Sequence, residues 1–235
     1  MQMKNTAVKH RAGTLATPDF AMLMAYKNED VLYKFQDAWR VDREEAEDIF
    51  TEMKKFLYVA CLAQQECFNM DIEEPTLMID EMWHTFILFT RDYEAFCLKF
   101  FGGMVHHVPY SKTELKKSIN NLSSQGITFG QAKAQKMRKQ LDLIKATLGE
   151  KTLIKWYSEY ATRYTREMMV SLRRPVFHED TTYAASTLTP ASMREKSYDD
   201  MVKAIINTYA ASFYCGGQSC GAYCSCNSNV QQCNV

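Results

Sequence analysis

Groups able to bind metal or move protons crowd into one stretch of an otherwise apolar block. It reads Asp80-Glu-Met-Trp83-His84-Thr-Phe-Ile-Leu-Phe-Thr90-Arg-Asp-Tyr93-Glu-Ala-Phe-Cys97, then Phe101-Gly-Gly, then His106-His107-Val-Pro109. Three of the five histidines lie here. Asp80 and His84 are four residues apart, so on a helix they share a face. A carboxylate so placed orients an imidazole, or both bind one ion. The Gly102-Gly103 turn can fold His106 or His107 back over that face. The expected site is Asp80 and His84 with one of His106 or His107. Its donor set suits zinc or ferrous iron. The ordinary alternative is a hydrogen-bond network that locks helix packing, with Trp83 as core. No His-Glu-x-x-His spacing is present.

Supporting roles fall to Trp83, Tyr93 and Cys97. Tyr93 with Arg91 could position an anion beside His84, although a half-buried packing role is the ordinary one. Cys97 lies one turn beyond Tyr93 and would need a histidine such as His107 to act as a nucleophile. The second candidate site is the last twenty-one residues, with Cys215, Cys220, Cys224, Cys226 and Cys233. This spacing matches no standard zinc or iron–sulfur pattern, but thiolates this dense bind soft metals. A disulfide framework would leave one cysteine over. A modifiable peptide segment behind a helical leader, or a disordered tail with incidental cysteines, are the other readings.

The string Asp-x-x-Trp-His-x-x-Ile-Leu-x-Thr-x-x-Tyr-x-x-Phe-Cys, then Phe-Gly-x-x-x-His-His-x-Pro, resembles bacterial relatives of the glycine-rich domain-containing protein-like family. The resemblance covers residues 80–109 and implies an α-helical domain with no particular activity. Many such relatives carry a second histidine two residues after the first, where this chain has Phe86.

The elements around this block read as helices. Thr17-Pro18-Asp19 is a helix start. Asp42 with Glu45 resembles a capping box. Ile49, Met53, Phe56, Leu57 and Ala60 form the buried stripe of a long helix. Pro75-Thr76 opens the Trp-His helix, Thr90 restarts it after a break, and Gly102-Gly103 ends it. Ser111 with Glu114 and Thr128 with Gln131 are further caps, and Gly149 is a stop. Leu153, Trp156, Tyr157, Tyr160 and Tyr164 share one face of the next helix. A last helix starts at Ser197-x-x-Asp200 and runs to about Tyr214. No run alternates with period two, so no sheet is expected.

The chain has 235 residues, nine glycines, five prolines, and 28 basic against 28 acidic side chains. It therefore carries no global field for nucleic acid or anionic membrane. The basic middle (Lys112, Lys116, Lys117, Lys133, Lys136, Arg138, Lys139) lacks interleaved aromatics for base stacking. No signal peptide or membrane-spanning run is visible, which points to the cytoplasm and to reduced, buried thiols at Cys61, Cys67 and Cys97.

The expectation is an all-α fold: a single irregular helical bundle with a Cys-rich, disordered C-terminal tail. The boundaries are a helical domain over 14–171, an extended connector over 172–196, a helix over 197–214 docking on the domain, and the tail over 215–235. The expected function is metal binding through the His/Asp cluster and the tail thiolates. Its rivals are a protein-interaction module with structural histidines and a partner-binding tail, an enzyme with His84 as acid/base, and a ribosomal peptide precursor.

Overall fold

Helix boundaries follow from local capping chemistry. The fold is that of a computed structural model, and the structure describes residues 15–109, 111–174 and 188–209. Helix α1 (Phe20–Ala25) is capped by Asp19, whose carboxylate accepts from the Met22 amide at 2.8 Å. Pro18 therefore precedes the helix instead of opening it, and the Thr17 hydroxyl bonds the Gln65 side chain. Helices α2 (Glu29–Ala38) and α3 (Arg43–Gln65) follow. Asp42 caps α3 at the Glu45 amide, 2.8 Å away. The reciprocal half of a capping box does not form, because the Glu45 carboxylate accepts from the Tyr164 hydroxyl at 2.6 Å.

A 3₁₀ turn (Glu74–Thr76) with Pro75 leads into α4 (Leu77–Leu88), and a one-residue break at Phe89 separates it from α5 (Thr90–Phe101). Gly102 closes α5 at φ +68°, a left-handed conformation that a side chain would strain. Helices α6 (Lys112–Ser124) and α7 (Phe129–Leu148) start at the Ser111 and Thr128 caps. Then α8 (Glu150–Ile154) runs through a π-helical stretch (Lys155–Tyr160) into α9 (Ala161–Arg163), and α10 (Arg166–Leu172) follows. Pro190 at the first helical position, with Thr189 as cap, starts the short α11 (Pro190–Arg194). That stretch falls inside the expected extended connector. Helix α12 (Tyr198–Tyr209) comes last, with Ser197 accepting from the Asp200 amide.

The described residues contain no strand, only an isolated antiparallel bridge between Trp39 and Arg173. This is the all-α class that the periodicity predicts. No helix among the described residues is long and apolar enough to cross a membrane. Two units can be distinguished: the first runs through Phe35 and resumes from Val41 to Ser171, and the second joins Gln36–Arg40 to the residues from Leu172 onward. In the second, the Arg174 amide donates to Ala38 O at 2.9 Å and the Arg173 guanidinium lies 4.4 Å from the Trp39 ring.

The core of the first unit is built around α3, which packs on α1, α4 and α7. Ile49, Met53, Phe56 and Leu57 are buried as the stripe predicts. Phe50, Phe86, Phe96 and Phe100 crowd around Tyr26, with ring centroids 4.9–6.3 Å apart. The stripe does not reveal that Glu52 is buried too, at 1% exposure. Its carboxylate accepts from Lys55 and Lys155, both at 2.9 Å, and from the Trp156 indole at 2.8 Å. Beside it Asp48 accepts from Lys155 at 2.5 Å and from the Tyr160 hydroxyl at 2.8 Å. The π-helical stretch supplies all three of Lys155, Trp156 and Tyr160. Of the cysteines expected to be buried, Cys61 and Cys97 are, but Cys67 is exposed at φ +61°. It occupies the left-handed position past the end of α3, where glycine is usual.

Burial, followed by contact with carboxylates, drives the Tyr160 and Tyr164 phenols far above their usual range, and burial does the same to Tyr93. Above about pH 10 the unfolded chain releases protons that the folded chain keeps, so stability falls with rising pH by about 1.4 kcal/mol per unit per phenol. Lys54 works in the opposite sense at lower pH: burial, and Lys27 nearby, lower it to about 8, so its contribution grows from there to its ordinary value. Urea denaturation from pH 8 to 11 should show steep loss above pH 10. Tyr160→Phe should make that slope shallower by one proton; an unchanged slope would mean that Tyr160 titrates normally.

Candidate metal centre

The site forms where α4 meets the segment that returns after α5. Helical spacing on α4 sets Asp80 and His84 on one face, with Asp80 Oδ2 3.6 Å from His84 Nδ1. The second histidine comes from the segment just beyond α5. After Gly102, the chain doubles back, and His107 Nε2 reaches Asp80 Oδ1 at 2.7 Å. The two imidazole rings are 4.5 Å apart, and one ligand atom from each of Asp80, His84 and His107 lies within 4.8 Å of the others. Donors bound tetrahedrally at ordinary zinc distances stand about 3.4 Å from one another. The observed spacings bracket that value, and His84, at 49% side-chain exposure, has room to adjust.

Of the two histidines offered by the His-His pair, the structure brings His107 to Asp80 and leaves His106 exposed outside the cluster. An extended chain turns neighbouring side chains to opposite sides, so only one can face α4. The tail residues Cys215, Cys220, Cys224, Cys226 and Cys233 lie outside the described residues.

What holds His107 in place is a buried polar chain. The Trp83 indole donates to the Tyr93 hydroxyl at 2.8 Å, and that hydroxyl donates to the carbonyl of Val105 at 2.5 Å. Val105 is two residues before His107, and the Trp83 ring packs 4.4 Å from the His107 ring. Tyr93 is thus spent on the fold and has no hydroxyl left to position an anion. Cys97 is buried and touches Val105 and Tyr93, not His107; burial pushes its thiol up, so it is no activated nucleophile. The Val105 carbonyl is the member that the residue types could not reveal, because every residue has one.

Trp83 is 6% exposed and ties α4, α5 and the returning segment together. Trp83→Ala should cost about 3–5 kcal/mol in chemical denaturation, as large core truncations do. Tyr93→Phe should cost about 1–3 kcal/mol by stranding the indole donor and the Val105 carbonyl. A loss below about 1 kcal/mol for Trp83→Ala would show that the indole is not part of the core.

No curated protein and no solved structure matches the chain. A family model does, that of the UCP032817-like family, over residues 22–140. This corrects the resemblance to the glycine-rich domain-containing protein-like family. That likeness rests mainly on the Trp-His, Tyr, Cys and His-His order. Those residues are the ones that tie α4, α5 and the returning segment together, and one local packing arrangement does not specify a family. The match begins in α1, takes in α2 to α6 and reaches into α7, half of the chain and all of the candidate centre: the chain belongs to the UCP032817-like family.

Proposed function

We propose that this chain is a metal-binding helical protein, in which Asp80, His84 and His107 hold a divalent transition ion, zinc or ferrous iron. The observation that carries the reading is the convergence of two imidazoles and one carboxylate, from α4 and from the segment that returns after α5, with their ligand atoms within 4.8 Å. Two nitrogens and one oxygen donor suit either ion, and three protein ligands leave coordination positions open. His84, at 49% side-chain exposure, gives the cluster an edge open to solvent. Such an open centre fits a protein that handles or uses its ion better than one that only needs it to fold. The tail cysteines extend the reading, as a separate set of soft thiolates.

A second reading is supported by the 2.7 Å contact between Asp80 and His107. Taken alone it is a staple that fixes the returning segment on α4, with no ion involved. The protein is then an interaction module.

Metal content separates the two. The protein to measure is the full chain with Cys215, Cys220, Cys224, Cys226 and Cys233 replaced by serine, so that tail thiolates do not contribute. It should bind one zinc or ferrous ion per chain. His84→Ala and His107→Ala should each lose that ion while keeping helical circular dichroism. Affinity should drop as the solution is acidified, because protons compete for the ligand nitrogens. If the serine variant takes up neither ion at micromolar concentration, the staple reading stands.

A further inference from the structure

We infer that the cleft between the turn after α1 and helix α3 binds a small organic carboxylate, held by the ammonium group of Lys54. The cleft encloses about 90 Å³ and lies within the first unit, apart from the candidate metal centre. Met24, Leu32 and Phe50 give it an apolar wall, and Lys54 and Lys27 line it as cations. Tyr26, Glu29, Glu47 and Thr51 complete the lining, so an apolar wall faces polar groups that can fix the orientation of a guest.

Lys54 is 3% exposed, and among the described residues it has no carboxylate partner. Its Nζ donates to the Met24 carbonyl at 2.6 Å and the Tyr26 carbonyl at 2.8 Å, and lies 5.3 Å from the Phe50 ring. Two of three donors are used, and the third is left. The charge that acts on it most is Lys27, of like sign. Two carboxylates also line the cleft, but neither serves Lys54: Glu29 and Glu47 are both taken by Arg43, at 2.5 and 2.6 Å. A buried cation without an anion is costly. That cost explains why burial, with Lys27, lowers the group to about 8. A guest carboxylate meets the remaining donor and both positive charges, and its alkyl chain lies on Met24, Leu32 and Phe50.

The test is an NMR titration of the full chain with hexanoate and, as neutral counterpart, hexanol. Hexanoate should bind with a dissociation constant of about 1 mM or tighter at pH 7, and hexanol at least about tenfold more weakly. Because the guest needs the ammonium form, hexanoate affinity should fall about tenfold per unit once pH passes 8. The other groups facing the cleft are Tyr26, Lys27, Glu29 and Glu47, with Arg43 behind them, and burial raises the Tyr26 phenol out of this window. Lys54→Met keeps the stem and should abolish hexanoate binding. Equal binding of hexanoate and hexanol, undiminished binding by Lys54→Met, or no binding at about 10 mM overturns the proposal. If Lys54→Met does not fold, the wild-type pH profile decides: equal hexanoate affinity at pH 7 and 9.5 refutes it.

Discussion

The burial of α3 is the constraint on which the rest of the first unit depends. A helix of 23 residues that carries Glu52 and Lys54 into the interior needs a polar partner for each. Glu52 finds the indole of Trp156 and the ammonium groups of Lys155 and Lys55. Lys54 finds the main-chain carbonyls at the end of α1. These partners place α1 and the π-helical stretch against α3, because a buried charge tolerates little error in its contacts. The π-helical stretch is the local adjustment that lets Lys155, Trp156 and Tyr160 reach one pair of carboxylates.

With α3 enclosed in this way, α4 and α5 complete the core through aromatic packing. Phe86 and Phe96 sit 5.0 Å apart across the break between these helices. The break at Phe89 is what allows two short helices to present two faces to one core. The same fold-back sets Tyr93 beside Trp83, and Tyr93 in turn holds the carbonyl of Val105. The candidate centre is therefore built on rigid parts. Asp80 and His84 stand on a helix, and His107 is on a segment fixed two residues earlier by a buried hydrogen bond.

Surface charge serves the fold as well. Lys136 pairs with Asp71, and Lys133 with Glu73 at 3.1 Å. Gln140 donates to the Asp71 carbonyl at 3.0 Å and to the Tyr157 hydroxyl at 3.2 Å. Two lysines of the basic middle thus anchor the loop before α4 to α7.

Sequence alone determined the class, most helix starts and the shared face of Asp80 and His84. Capping residues announce themselves because they act on amides two or three positions away, as Asp42, Ser111 and Thr128 do. Asp80 and His84 are legible for the same reason, since helical spacing fixes their shared face. Tertiary structure decided everything that depends on a long-range partner. It chose His107 over His106, spent the Tyr93 hydroxyl on Val105 and gave Cys97 a packing role. It also buried Glu52 and Lys54 on a helix whose pattern shows only its apolar stripe. Local spacing carries no record of a partner a hundred residues away, and only the folded chain brings Glu52 to Trp156.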